Sequence, residues 1–323
     1  MPHQMRAVRL KTAASGELEV AAMPIPQPAT NEVLIRVCRA GVNSSDAIGA
    51  RLGINRFTGG PLTEGEIIGG EVAGVRQDTG QRVVAVCGVG GYAEWAIAPE
   101  SLTFAIPDAV ADDAALALFV SGLTAWFLYR PLARMSGGET VVVPGAAGAL
   151  GSIALQLGKM MGAGRVIATA SSEAKRAAAL EYGADAAVDG APGGLGARLI
   201  EANSGRPVDV VFDMAAGETF AEALGALAPF GRVIVYGHAS GQPGRMETTK
   251  LVMGSRSISG LWLVDFLRAG LAAEPLQELF ELYQRGDLHI EVGPTYPLAD
   301  ASRAQHDLIG RTTSGKVLLD VTA

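Results

Sequence analysis

Residues 139–170, ETVVVPGAAGALGSIALQLGKMMGAGRVIATA, decide how this 323-residue chain folds. A β-branched run, TVVVP, passes through a loop spaced by Gly145, Gly148 and Gly151 into a helical pattern that lasts to Ala163. A second β run, RVIATA, comes next. A strand that turns through glycines into a helix and returns as a strand is the building unit of a parallel sheet. The same rhythm continues downstream. EAKRAAALEYGA (173–184) reads as helix, AAVDG (186–190) as a short strand and VDVVFDMAAG (208–217) as a strand with its turn. TFAEALGAL (219–227) is a helix pattern, GRVIVYG (231–237) a strand, and SISGLWL (257–263) a sixth strand. The predicted fold class is therefore α/β, with a doubly wound parallel sheet.

Upstream of about residue 110 the text changes to short β-rich runs broken by Gly and Pro, such as EVLIRVCRAGV (32–42) and the turn Asp78-Thr79-Gly80. Close, turn-separated strands of this kind predict an antiparallel sheet or partial barrel. The N-terminal text reads as a strand, a turn at Ser15-Gly16 and a second strand, and Asp112 and Asp113 suit a helix start. After the helix pattern PLQELFELYQRG (275–286) the chain returns to β-rich text. The expected domains are 1–115, 116–286 and 287–323: a nucleotide-binding domain inserted into a β-rich one that the C-terminus rejoins.

Composition narrows the function classes. A net charge of -7 argues against nucleic acid, which calls for a concentrated basic face. Two cysteines, Cys38 and Cys87, rule out a disulfide framework and read as small strand residues; a single bridge between them is the less favoured alternative. No uninterrupted apolar run reaches the roughly 18–20 residues of a membrane span, and the N-terminus lacks a signal-peptide core. The expectation is a cytoplasmic protein without a membrane partner.

The glycine loop is the first candidate site. Backbone N–H groups and the helix start behind it suit a pyrophosphate, with Gly148 allowing close backbone approach and Gly151 tight helix packing. The spacing is GxxGxxG, with Ala147 where a second glycine often stands. The second strand ends in Ala170, Ser171 and Ser172, with Lys175 and Arg176 just beyond. Small hydroxyls and cations favour a 2′-phosphate, hence NADPH; Glu173 counts the other way.

Together with AGVNSSD (40–46), GGYAEWAIAP, LFVSGLTAWFLY, EYGADAAVD, GRVIVYGHASG and TSGKVLLDV, these features resemble the zinc-independent quinone oxidoreductases, the zeta-crystallin-like branch of the medium-chain dehydrogenase/reductases. The resemblance covers nearly the whole chain. It implies a GroES-like β-rich catalytic domain and an inserted Rossmann domain, with the active site in a cleft between them. It places Asn43 and Thr124 as catalytic residues beside the nicotinamide. Ala146, Ala147, Gly148, Ala149 and Leu150 would meet the pyrophosphate, and Ser171 with Lys175 the 2′-phosphate. Met214, Tyr236 and Gly237 would line the nicotinamide half, with Leu261 closing over it. Two departures stand out: Gly190 falls where relatives often carry an adenine-stacking Tyr, and Trp262 and Phe266 are bulky for their place. The resemblance also implies a homodimer formed through the last Rossmann strand.

Zinc-dependent relatives carry Cys where Asn43 stands and His where Gly70 precedes Glu71. With FVSGLTAW offering neither Cys nor His, only Glu71 could remain of the roughly three protein ligands a catalytic zinc needs, so no metal is expected. The expected reaction is hydride transfer from NADPH to a quinone or α,β-unsaturated carbonyl, whose conjugation spreads the arriving charge. Water, Tyr92 or His238 would supply the proton; the other histidines, His3, His289 and His306, lie by a terminus, a strand and a helix. Asp46 and Arg51 would shape the loop after Asn43, for substrate entry or as a pair that fixes it. Alternatives are an enoyl or acryloyl thioester reductase, an NADPH-binding structural or sensing protein, and, least favoured, a zinc alcohol dehydrogenase.

Overall fold

The computed structural model describes residues 4–55 and 57–323, so His3 lies outside the described residues. The chain begins with β1 (Gln4–Leu10) and β2 (Leu18–Pro24), an antiparallel hairpin whose turn holds Gly16 at φ 73°. Next come β3 (Glu32–Gly41), α1 (Ser44–Leu52), β4 (Glu71–Arg76), β5 (Arg82–Val86), β6 (Trp95–Pro99) and β7 (Thr103–Ala105). The chain is then helical from Asp112 to Ala133, with α2 (Asp112–Leu116), α3 (Leu123–Phe127) and two wider π-type stretches, the second containing Pro131. Pro131 lacks the N–H that a regular turn would use, and the wider turn absorbs it.

This helix is long and apolar enough to cross a membrane by composition, although Ser121, Thr124 and Arg130 interrupt it. Buried within the protein over 72 % of its apolar window, it is a core helix.

The alternating region supplies β8 (Thr140–Pro144), α4 (Ala149–Met160), β9 (Arg165–Ala170), α5 (Glu173–Glu181), β10 (Ala186–Asp189) and α6 (Leu195–Ala202). It continues with β11 (Val208–Asp213), α7 (Gly217–Gly225), β12 (Leu227–Val235), α8 (Thr249–Val252) and β13 (Ser257–Gly260). The chain closes with α9 (Leu263–Arg268), α10 (Ala273–Gln284), β14 (Val292–Pro297), α11 (Ala301–Ile309) and β15 (Lys316–Asp320).

Two compact units result: the chain up to Val120 with Val264–Ala323, and Ser121–Leu263. The sequence placed the return to the first unit at 286/287, whereas α9 and α10 already group with it. Arg268 of α9 shows one tie: it donates to the Phe57 carbonyl (3.4 Å) and its guanidinium lies 5.4 Å from the Phe57 ring centroid.

In the first unit, a seven-stranded sheet runs β14-β15-β3-β4-β5-β7, with β6 also on β3. All its pairings are antiparallel except β14 with β15. Alternating Val and Ile residues such as Val33, Ile35, Val72 and Val83 fill its core. The register is offset so that Leu318 pairs with Gly41 and Ala40 with Val72. The end of β3 thus lies beside the first residues of both neighbours, Lys316 and Glu71.

In the second unit, six parallel strands run β10-β9-β8-β11-β12-β13. The order reverses direction between β8 and β11, the point where open α/β sheets take ligands beyond their strands' carboxyl ends. In α4, Ile153, Ala154 and Leu157 recur at helical spacing and are all buried. The expected sixth strand is shorter than the text SISGLWL. Pairing ends at Gly260 and the Leu261 N–H bond to Val235 (2.8 Å), the chain turns at exposed Trp262, and α9 starts at Leu263.

Candidate functional site

The glycine loop sits at the carboxyl end of β8, at the reversal point. Gly145 adopts φ 61°, a left-handed conformation that favours glycine. A Cβ there would also stand 2.8 Å from Met214 Sδ, so the loops after β8 and β11 touch. A Cβ at Gly151 would lie 2.3 Å from the Gly145 carbonyl oxygen; this is the tight packing the spacing predicted. Gly148 is the N-cap of α4 and leaves the helix start without a side-chain cap. Ala146 and Ala147 are buried against the sheet, while Ala149 and Leu150 open the helix. A twelve-residue helix that starts without a side-chain cap leaves its first N–H groups suited to a diphosphate.

The wall beside the loop is built by one carboxylate. Asp213, buried at the end of β11, accepts from the Ala215 N–H (3.0 Å) and the Ala216 N–H (3.1 Å). It thereby holds Ala216 at φ 58°, ψ -153°, a backbone that an L-residue adopts only under constraint. Burial raises the Asp213 carboxyl above its ordinary range, against the pull of those two N–H groups. Gly237 approaches the same turn so closely that a Cβ would stand 2.6 Å from the Met214 carbonyl oxygen. Met214, Tyr236, Gly237 and Leu261 are thus gathered at the carboxyl ends of β11, β12 and β13. Thr124, on α3 of this unit, is only 7 % exposed.

At the end of β9, Ser171 is exposed and Lys175 half-buried on α5. Ser172 serves as the cap of α5, its Oγ accepting from the Lys175 N–H (3.3 Å). Arg176 donates to the Ala170 carbonyl (3.3 Å), placing a second cation by the strand end. A Cβ at Gly190 would be 3.0 Å from Thr169 Oγ1, so the next loop packs closely on β9.

In the first unit, Asn43 caps α1 and is held from three sides. Its Nδ2 donates to Glu71 Oε1 (3.0 Å) and its Oδ1 accepts from Lys316 Nζ (2.9 Å). Lys316 also contacts Glu71 directly, and both side chains are fully buried. The main-chain N–H of Asn43 donates to Asp46 Oδ2 (3.0 Å). Gly41 is required here, because a Cβ would stand 2.2 Å from Glu71 Oε1. Glu71 Oε2 is buried without a hydrogen-bond partner.

Asp46 departs from expectation. It lies on helix α1 and turns inward to Asn43 and to Tyr92, whose OH donates to it (3.3 Å). Arg51 instead ends the helix against Gly16. Burial pushes the Asp46 carboxyl from 3.8 up to about 7; Glu71 adds to the shift, and the Asn43 N–H, Lys316 and Tyr92 oppose it. Tyr92 is completely buried, and burial, with the adjacent Asp46, lifts its phenol well above the ordinary range. The Tyr92 hydroxyl proton is thus already engaged by Asp46 inside the core. His238 is half-buried, and His289 and His306 are exposed. Cys38 and Cys87 are free and half-buried, and burial pushes the Cys87 thiol up to about 12, so it is a poor nucleophile.

Sequence reasoning noticed Glu71 as a leftover ligand and assigned Lys316 nothing. One signal was available: each is a charge set directly against apolar β text, Glu71 in GGEVAGV and Lys316 ahead of VLL in GKVLLDV. Asp213 carried a weaker signal, an acid closing the run VDVVFD. Among the described residues, no group of three or more His, Cys, Asp or Glu side chains is arranged to hold a metal ion.

Residues 29–108 match the alcohol dehydrogenase GroES-like domain and residues 149–283 the zinc-binding dehydrogenase family. The chain belongs to the medium-chain dehydrogenase/reductase superfamily, whose two domain types account for both folded units. Within it, the chain is 33% identical over 329 residues to a quinone oxidoreductase of Pseudomonas aeruginosa, covering 97% of this chain and 99% of that one. A 2-haloacrylate reductase of Burkholderia is 31% identical over 314 residues, covering 91% and 92%. The structure of Escherichia coli quinone oxidoreductase complexed with NADPH superposes with a TM-score of 0.88 at 27% identity, covering 98% and 99%.

Proposed function

We propose that this protein is an NADPH-dependent reductase of conjugated carbonyl compounds, quinones and α,β-unsaturated carbonyls, working without a metal. The observation that carries it is the cradle at the reversal of the parallel sheet, where Gly145 and Gly151 bring the α4 N-terminus against the loop after β11. In this reading the backbone from Ala146 to Leu150 holds the diphosphate, and Ser171 and Lys175 hold the 2′-phosphate. Met214, Tyr236, Gly237 and Leu261, with Thr124 of the same unit, position the nicotinamide. When bound, NADPH supplies the hydride.

Asn43 is assigned to the acceptor, its amide directed at the carbonyl oxygen on which charge develops. No metal is needed at that point, because the position beside Asn43 and Glu71 is filled by the Lys316 ammonium. The acceptor gains a hydride and a proton, and water delivers the proton. The edge strand β13, with Phe230, Val252 and Met253 exposed nearby, supports a dimer that pairs this edge across a two-fold axis. The relative that reduces 2-haloacrylate favours a second reading, with small unsaturated acids as acceptors.

The test is NADPH consumption against a panel of quinones, enones, enals, haloacrylates and enoyl thioesters, before and after exhaustive dialysis with chelator. Turnover of quinones or enones that survives chelation is expected. Faster NADP⁺-dependent oxidation of simple alcohols, or activity lost with chelation and restored by zinc, would refute it.

A further inference from the structure

The carboxamide of Asn43 sits between two opposite charges. Its oxygen faces the Lys316 ammonium (2.9 Å) and its nitrogen faces the Glu71 carboxylate (3.0 Å), while the two ions also touch each other. Three adjacent strands deliver the three groups: Lys316 opens β15, Glu71 opens β4, and Asn43 comes just after the end of β3 between them. An amide is almost the same shape when flipped, so packing alone orients it poorly. Here a flip would set N–H against ammonium and oxygen against carboxylate. Two charge-assisted bonds would be lost, each worth about tenfold or more in the equilibrium between the two orientations.

The ion pair is an odd thing to keep for stability. A buried pair often contributes no more than apolar side chains of the same volume. This one even leaves Glu71 Oε2 without a hydrogen-bond partner. Yet the packing is shaped around it, since at position 41 only glycine clears the Glu71 carboxylate.

We propose that Lys316 and Glu71 are positioning residues for the reaction: as a buried ion pair they fix which way the Asn43 carboxamide faces. With one Nδ2–H committed to Glu71 and one oxygen lone pair to Lys316, a single Nδ2–H is left, in a set direction, for the acceptor oxygen. This rests on the assignment of Asn43 to the acceptor. Glu71 and Lys316 themselves touch no substrate.

The experiment compares steady-state kinetics of wild type, Asn43→Ala, Lys316→Met, and the doubly neutral Lys316→Met/Glu71→Gln, using the best quinone or enone of the panel. Single removal of Lys316 strands a buried carboxylate and can impair folding; the double variant removes both charges and restores the neutral balance. The double variant is expected to fold and to keep the wild-type KM for NADPH, with kcat reduced at least about tenfold. Introduced on top of Asn43→Ala, it should reduce kcat no further.

A folded double variant with wild-type kcat would overturn the proposal while leaving Asn43 in its role. Asn43→Ala with unchanged kcat would instead overturn the assignment of Asn43, and this inference with it. A measurement on the wild type covers a double variant that does not fold. With asparagine selectively ¹⁵N-labelled, one Nδ2 proton of Asn43 should exchange with solvent much more slowly than the other, and equally fast exchange of both would show that no lock exists.

Discussion

The titration of Asp46 gives a sharp test of the network around Asn43. In the folded protein burial holds this carboxyl up to about 7, against an ordinary value of 3.8. The group therefore binds its proton more tightly folded than unfolded. Below about pH 4 it is protonated in both states and costs nothing. As pH rises through the window from about 4 to about 7, the unfolded chain ionises first, and folding must then retain a proton or bury a charge. Stability falls across that window, and the loss is complete above it. A difference of about three pH units corresponds to roughly 4 kcal/mol, an upper value because Lys316 and Glu71 relax with the charge.

Asp46→Asn keeps an acceptor for the Asn43 N–H and for Tyr92 but cannot ionise. Native-state hydrogen exchange in β3 and β4 reports the free energy of the unit that contains it. Between pH 4 and pH 8, the stability of the Asn variant relative to wild type should rise by up to about 4 kcal/mol, mostly before pH 7. Parallel pH profiles for the two proteins would show that Asp46 ionises normally, and that its burial against Glu71 has been misread.

Two other outcomes are expected. Lys175→Ala should weaken NADPH by about 1.5–3 kcal/mol, roughly 10- to 150-fold in Kd, and NADH hardly at all; equal losses for both would show that Lys175 does not read the 2′-phosphate. Light scattering at micromolar concentration should give twice the chain mass, falling toward the monomer when Phe230 and Val252 beside β13 are both changed to Lys; a monomeric wild type would remove the edge-strand dimer.

How much of this was written in the chain depends on the distance over which each feature is determined. The parallel sheet was legible because periodicity is local: a β-branched run, glycines and helical spacing all fall within 139–170. The glycine cradle was legible for the same reason, since Gly145 and Gly151 shape a turn of seven consecutive residues. Boundaries were less so. Whether α9 and α10 belong with the β-rich unit depends on partners such as Phe57, 211 residues away from Arg268.

The surroundings of Asn43 lay beyond sequence reading altogether. Asn43 and Lys316 are 273 residues apart, and Lys316 and Glu71 are 245 apart. Nothing in GGEVAGV or GKVLLDV says that Glu71 and Lys316 meet. Strand pairing decides it, because the register of β15 on β3 and of β3 on β4 places their ends side by side, and a slip of one residue would turn each side chain to the opposite face. The sequence by itself determined that a doubly wound parallel sheet is inserted in a β-rich domain, and the family resemblance it carries set Asn43 against the cysteine of zinc-dependent relatives. Only the tertiary structure decided what holds Asn43, since a buried ion pair exists only once folding has excluded water from both partners.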